Sequence, residues 1–274
     1  MEILLAKHLG FCMGVKKATE AVYNLIEKER KEKISTFGPL IHNPLVLDHL
    51  AKKGVGVINN PEDASGVVVI RAHGVGPDIR KKLEQKSIAL IDATCPRVMN
   101  SQKKVKKASE EGMSVIIAGD KDHGEVQGIA GYAKKVFIVE NKAASEKISI
   151  TLPALLISQT TFCKDEYDSI SAILTARFPG IEVADSICPA TSERQKALVD
   201  MADKVDAIIV IGGKNSANTV RLYETALKLG KKTWHIESES EIPEDVKKFS
   251  IIGISAGAST PDWIIKKIVD KLKI

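Results

Sequence analysis

The chain reads as an α/β protein of three pseudo-repeated lobes, with parallel sheets arranged around a central cavity by a pseudo-threefold axis. Two observations predict this. Short, nearly continuous apolar runs alternate with amphipathic stretches, the pattern of parallel strands covered by helices on both faces. In addition, Cys12, Cys95 and Cys188 recur in matched surroundings at spacings of 83 and 93 residues. Self-similarity at a fixed period fixes the architecture before any single element does.

The elements follow in order. "MEILLAKHLG" is a short strand-like run without the basic n-region or cleavage site of a signal peptide. Helices are expected over 14–30 and 43–53, then a strand "GVVVIRA" (66–72), a helix over 77–86 and a strand "IALIDA" (88–93). A helix over 97–111 leads to the strands "SVIIAGD" (114–120), "VFIVE" (136–140) and "ALLISQ" (154–159). Helices over 164–178 and 190–204 precede the strand "AIIVIGG" (207–213). A helix over 217–229, the strand "SIIGISAG" (250–257) and a helix over 261–272 complete the chain. The lobes are expected at 13–95, 96–186 and 187–274, with 1–12 as a strand and loop carrying Cys12 and packing on the third lobe.

Each of the three cysteines precedes a helix, and each helix leads to a strand that ends in a small polar cluster. The clusters are "GPLIHNP" with His42, "AGDKDHGEV" with His123 and Glu125, and "IGGKNSANT" with Ser216 and Asn218. A second helix and strand then end in "RAHGVG" with His73, "ISQTTF" with Thr160 and Thr161, and "ISAGAST" with Ser259 and Thr260. Ligands of open α/β sheets collect beyond the carboxyl ends of strands, and all six clusters lie there.

Composition excludes several classes. With 274 residues and 44% hydrophobic content there is enough chain for a proper core, but aromatics are only 4%, too few for a single-stranded nucleic-acid platform. The net charge of +5 fits a small anionic ligand about as well as no ligand at all, and is weak evidence for nucleic acid. The runs "EKERKEK" (27–33) and "KKVKK" (103–107) read as solvated helix faces. No apolar run reaches the roughly 18–20 residues of a membrane span. A cytoplasmic location is expected, where four cysteines serve as core thiols, metal ligands or catalytic groups rather than disulfides.

A cysteine at a helix N-terminus meets free N–H groups and partial positive charge, which stabilise the thiolate that metals require. Pro96 and Pro189 suit the first helical turn. The long spacing excludes a CxxC zinc ribbon, but zinc held by three cysteines and a histidine, or a [4Fe–4S] cluster held by three thiolates with one iron open, both satisfy the pattern. Cys163 has no counterpart in the repeat and reads as a core residue or one behind the ligands. His42, His73 and His123, with Ser216, Asn218, Ser259 and Thr260, read as an anion clamp for a phosphate or diphosphate. "GGKNSANT" lacks the spacing of a nucleotide-binding P-loop. Glu125 is the acid nearest this pocket; shielded from water, it would hold a proton at neutral pH, with Thr160 to hold it or relay that proton.

The phrases "GFCMGVKKA", "GPLIHNP", "RAHGV", "DATCP", "HGEVQG", "SQTT", "CPATSERQ", "GGKNSANT" and "SAGAST", in this order and over essentially the whole chain, resemble the 4-hydroxy-3-methylbut-2-enyl diphosphate reductase family, also called IspH or LytB. The resemblance implies an iron–sulfur oxidoreductase of the non-mevalonate isoprenoid pathway. It removes the allylic hydroxyl of its substrate reductively, giving isopentenyl and dimethylallyl diphosphates. It implies a [4Fe–4S] cofactor on Cys12, Cys95 and Cys188, with Glu125 as proton donor assisted by Thr160. His42, His73, His123, Ser216, Asn218 and Ser259 are the implied diphosphate-binding residues. Two departures stand out. Ala217 replaces a serine common in the family, which removes one hydroxyl, and Gly124 stands where many relatives have proline, a change expected to matter little. No flavin or nicotinamide fingerprint is present, so an external one-electron donor such as ferredoxin or flavodoxin is expected, and neither nucleic acid nor membrane. The competing readings are a non-redox [4Fe–4S] dehydratase and a zinc- or redox-sensing binding module.

Overall fold

The computed structural model of the chain describes residues 1–28 and 32–273. Residues 29–30 of the helix expected over 14–30, residues 29–31 of the charged run 27–33, and Ile274 lie outside the described residues.

The chain begins with β1 (Glu2–Leu5), α1 (Met13–Glu27), β2 (Ile34–Phe37), α2 (Pro44–Lys52), β3 (Val55–Ile58), β4 (Val67–Ile70), α3 (Pro77–Glu84) and β5 (Ala89–Asp92). It continues with α4 (Pro96–Glu110), β6 (Ser114–Ala118), α5 (Gly124–Ala130), β7 (Val136–Val139), α6 (Lys142–Lys147), β8 (Ala154–Ser158), α7 (Lys164–Arg177) and β9 (Glu182–Val183). The last elements are α8 (Pro189–Ala202), β10 (Ala207–Ile211), α9 (Ala217–Lys228), β11 (Lys232–Ile236), β12 (Ile251–Ala256) and α10 (Asp262–Leu272).

The strands form three four-stranded sheets, β3-β2-β4-β5, β7-β6-β8-β9 and β11-β10-β12-β1. Every pairing is parallel. Taken in the order of the repeat, each sheet runs second, first, third, fourth. The third sheet takes its fourth strand from the start of the chain, with β1 in register along β12 from Glu2↔Ile251 to Leu5↔Ile254. Parallel strands need crossovers, and helices supply them, which is why the apolar runs are continuous rather than alternating. In β10, Ile208 and Val210 face one core and Ile209 and Ile211 the other. In β6, Ile116 faces one core and Val115 and Ile117 the other.

The repeat is written into hydrogen bonds as well. A glycine follows each first strand and donates its N–H to the end of the second: Gly38 to Ile58 at 2.7 Å, Gly119 to Val139 at 3.0 Å and Gly212 to Ile236 at 2.9 Å. Each fourth strand leads to one of the three cysteines, whose backbone N–H donates to a carbonyl in the loop after the third strand. Cys95 donates to Ala72 at 2.9 Å, Cys188 to Thr160 at 2.8 Å and Cys12 to Ala258 at 3.1 Å.

The described residues form two compact units: Met1–Lys16, Ile41–His49 and Pro189–Ile274 in the first, Lys17–Leu40 and Leu50–Cys188 in the second. The first unit contains the β11-β10-β12-β1 sheet, and residues 41–49 belong with it. The second contains the other two sheets.

Several elements escaped the apolar-run rule for physical reasons. Strand β2 is "ISTF": Ser35 and Thr36 are buried and look polar in sequence. The edge strand β3 carries a glycine, edge strand β11 reads "KTWHI", and β9 is two residues long. Helices α5 and α6, of 7 and 6 residues, are too short for helical periodicity to register. The strand read as 66–72 stops at Ile70, leaving Arg71 and Ala72 in the following loop. No helix among the described residues is long and apolar enough to cross a membrane.

Candidate functional site

In the second unit the geometry centres on Glu125. It lies in the first turn of α5 and is 2% exposed. The Thr160 backbone N–H donates to Glu125 Oε1 at 2.6 Å and the Thr160 hydroxyl to Oε2 at 2.9 Å. The carbonyl of the same threonine accepts the Cys188 N–H. Burial pushes the Glu125 carboxyl up to about 7, and the two Thr160 hydrogen bonds hold it from going higher. Near neutral pH both forms are populated. In the acid form the Oε2–Oγ1 bond reverses, Glu125 donates to Thr160, and the threonine hydroxyl proton is released to point elsewhere. The sequence expectation is that Thr160 holds the acid or relays its proton, and the two bonds bring this threonine onto both carboxyl oxygens.

His123 caps α5: its Nδ1 accepts the Glu125 backbone N–H at 3.2 Å. A ring nitrogen that accepts carries no proton, so the ring proton of the neutral imidazole sits on Nε2. The His73 ring meets the His123 ring edge to face, centroids 5.2 Å apart.

The raised pKa of Glu125 has a consequence for folding. In the unfolded chain the carboxyl titrates near 4.5, in the fold near 7. Below the lower value both states are protonated and the group is neutral in its effect; above the higher value the fold carries a buried carboxylate at a cost on the order of 3 kcal/mol. Glu125→Gln, which keeps the shape and has no charge, is therefore expected to raise Tm at pH 8 and leave it near wild type at pH 4.5. Thermal unfolding of both proteins across this range checks it. An equal Tm difference at both pH values would contradict the burial argument.

In the first unit the loop carrying His42 is tied down by its neighbour. Asn43 Nδ2 donates to the Ser259 carbonyl at 2.9 Å, and Asn43 Oδ1 accepts the Val46 N–H at the start of α2. The His42 carbonyl lies so close to Gly213 that a side chain there would collide with it, which explains the second glycine of "IGGK". Ser216 is the N-cap of α9 and is 3% exposed, yet its hydroxyl makes no capping bond. Asn218 Nδ2 and Thr219 Oγ1, in the first turn of α9, are buried with no hydrogen-bond partner among the described residues. Buried donors without acceptors cost stability, so a helix start that keeps two of them beside a serine whose hydroxyl does not cap is equipped to receive an anion. Thr219 was not singled out by sequence; its exposure is 0% and only the fold reveals its orphaned hydroxyl. Thr260 departs from expectation: its hydroxyl donates to the Ile211 carbonyl at 3.0 Å, so it fastens β10 to the loop and is not a donor for ligand.

Cys12, Cys95 and Cys188 are half-buried, unbridged thiols, each immediately before a helix of 14 or 15 residues. Cys12 Sγ accepts the Val15 N–H at 3.4 Å, which places its sulfur over the positive end of α1. Soft sulfur donors at helix N-termini fit a metal–sulfur group. Cys163 is also half-buried and is the N-cap of α7, not a core residue; it follows a third strand where the other three follow fourth strands.

The Arg71 guanidinium lies against both Gly124 and Gly38, and a side chain at either would run into it. Arg71 lies within "RAHGVG", and its position one residue past an apolar strand is the signal the sequence carries for it.

The model of the LytB protein family matches residues 3–273. A protein of Treponema denticola named 4-hydroxy-3-methylbut-2-enyl diphosphate reductase is 47% identical, with 99% of each chain covered. One of the same name from Caldanaerobacter subterraneus subsp. tengcongensis is 39% identical, covering 100% of this chain and 97% of its own. Among solved structures, the E-1-hydroxy-2-methyl-but-2-enyl-4-diphosphate reductase of Plasmodium falciparum superposes with a TM-score of 0.93 at 31% identity, covering 100% of this chain and 88% of its own.

Proposed function

The chain belongs to the LytB protein family, and from that premise we propose that it is a 4-hydroxy-3-methylbut-2-enyl diphosphate reductase. In this reading it converts the allylic hydroxyl diphosphate reductively to isopentenyl and dimethylallyl diphosphates. The observation that carries the reading is Glu125, a buried carboxyl raised to about 7 and held on both oxygens by Thr160. A proton source at neutral pH is what the departure of a hydroxide as water needs.

The roles assigned to the residues are these. Cys12, Cys95 and Cys188 hold a [4Fe–4S] cluster, which when bound supplies single electrons and an open iron for an oxygen ligand. His42, His73, His123, Ser216, Asn218 and Ser259 bind the diphosphate and so fix the allyl group for reaction. Their support is the unsatisfied Asn218 amide and the uncapped Ser216 hydroxyl. Glu125 gives its proton to the leaving oxygen, and Thr160 keeps the carboxyl oriented and returns a proton through its hydroxyl. Ala217 offers only its backbone where a family serine would add a hydroxyl. The electrons come from ferredoxin or flavodoxin. The division into lobes 13–95, 96–186 and 187–274 is proposed on the same footing, supported by the common strand order of the three sheets.

Anaerobic purification with iron–sulfur reconstitution tests this directly. A brown protein with iron and sulfide in equal amounts and turnover that requires a reductant is the expected result. Colourless protein carrying zinc would favour the binding module, and product formed without reductant would favour the dehydratase.

A further inference from the structure

Arg71 is a charge without a counter-charge. It stands just past the carboxyl end of β4, half-buried, with its Nε enclosed and without a hydrogen-bond partner among the described residues. Burial alone shifts its pKa, downward, with no carboxylate contributing to oppose that. Arg80, a half-buried cation of α3 in the same unit, pairs with Asp92. A partly desolvated guanidinium with no acid beside it opposes folding, so its retention calls for another reason.

The surroundings indicate one. Gly38 and Gly124 bracket the guanidinium, and neither leaves a side chain in its way. Gly124 follows His123 directly, Arg71 precedes His73 by two positions, and the two histidine rings touch. A planar fork that offers parallel N–H donors matches phosphate oxygens two at a time.

We infer that Arg71 is an anion-binding residue that grips the diphosphate end of the substrate beside His73 and His123. The inference rests on the diphosphate substrate proposed above, and its test separates the two. Inorganic pyrophosphate is titrated calorimetrically into the reconstituted wild-type protein, Arg71→Met and Arg71→Lys. Arg71→Met weakens pyrophosphate binding about 10–100-fold, the loss of one charged hydrogen-bonded contact. Arg71→Lys recovers part of it. Steady-state KM rises in parallel while kcat changes far less. Tm of Arg71→Met stays level or rises, because an uncompensated buried charge has been removed.

A lower Tm with unchanged pyrophosphate affinity would overturn the inference and make Arg71 a structural residue. Unchanged pyrophosphate affinity with a raised KM for the electron-donor protein would overturn it in favour of a docking charge. Wild-type protein that binds pyrophosphate through Arg71 but shows no reductant-dependent turnover would sink the reductase reading and leave the anion site standing.

Discussion

Glu125→Gln in the reconstituted enzyme is expected to lower kcat by about 10²–10⁴-fold, the usual contribution of one positioned acid, while iron content and pyrophosphate affinity stay at wild-type levels. The glutamine keeps the acceptor for the Thr160 N–H and can donate its amide to the Thr160 hydroxyl, so the loop after β8 has no reason to move. What disappears is the proton. The wild-type carboxyl titrates near 7, so turnover that needs the acid form declines above that pH. The residual activity of the variant loses this limb of the profile. The pair of readouts is decisive because a structural role for Glu125 moves iron content or affinity, whereas an acid role moves kcat and its pH dependence. Near-wild-type turnover for Glu125→Gln rejects the acid role.

Loss of iron is the expected result of changing Cys12, Cys95 or Cys188 to serine, one at a time, with turnover falling with it. Each thiol opens a helix, and serine at such a position is a better cap than cysteine, worth about 0.5–2 kcal/mol in its favour over a residue that does not cap. The apo variants are therefore expected to be as well folded as wild type by circular dichroism, so missing iron reports missing ligands rather than a collapsed fold. Cys163→Ser is the control with the same chemistry at another helix start, and it keeps its iron. Iron lost from Cys163→Ser and retained in one of the other three would require a different ligand set.

The legible part of this protein was its periodicity. Three cysteines in matched contexts, the apolar third strands and the polar clusters at strand ends revealed the repeat, and the family resemblance chose iron over zinc, which spacing alone left open. The buried central strand β2 was harder to read, because its Ser35 and Thr36 are inside only by virtue of strands β3 and β4 on either side. Thr260 was misread as a ligand donor, since nothing local shows that the Ile211 carbonyl is within its reach. The contact of Gly124 with the Arg71 guanidinium was not legible locally, because the two are 53 residues apart in the chain.

Sequence by itself determined the class of fold, the repeat and the residue types able to hold metal, anion and proton, because helix starts, strand ends and hydrophobic faces are local properties of a chain. Tertiary structure decided which donors are spent and which remain. It buried Glu125 far enough to hold a proton, joined the chain's first strand to its last sheet, set the Thr160 hydroxyl against Glu125, used up the Thr260 hydroxyl on the Ile211 carbonyl, and left Asn218, Thr219 and Arg71 unsatisfied. Desolvation and hydrogen-bond satisfaction depend on what else arrives at a place, and only the folded chain brings those groups together.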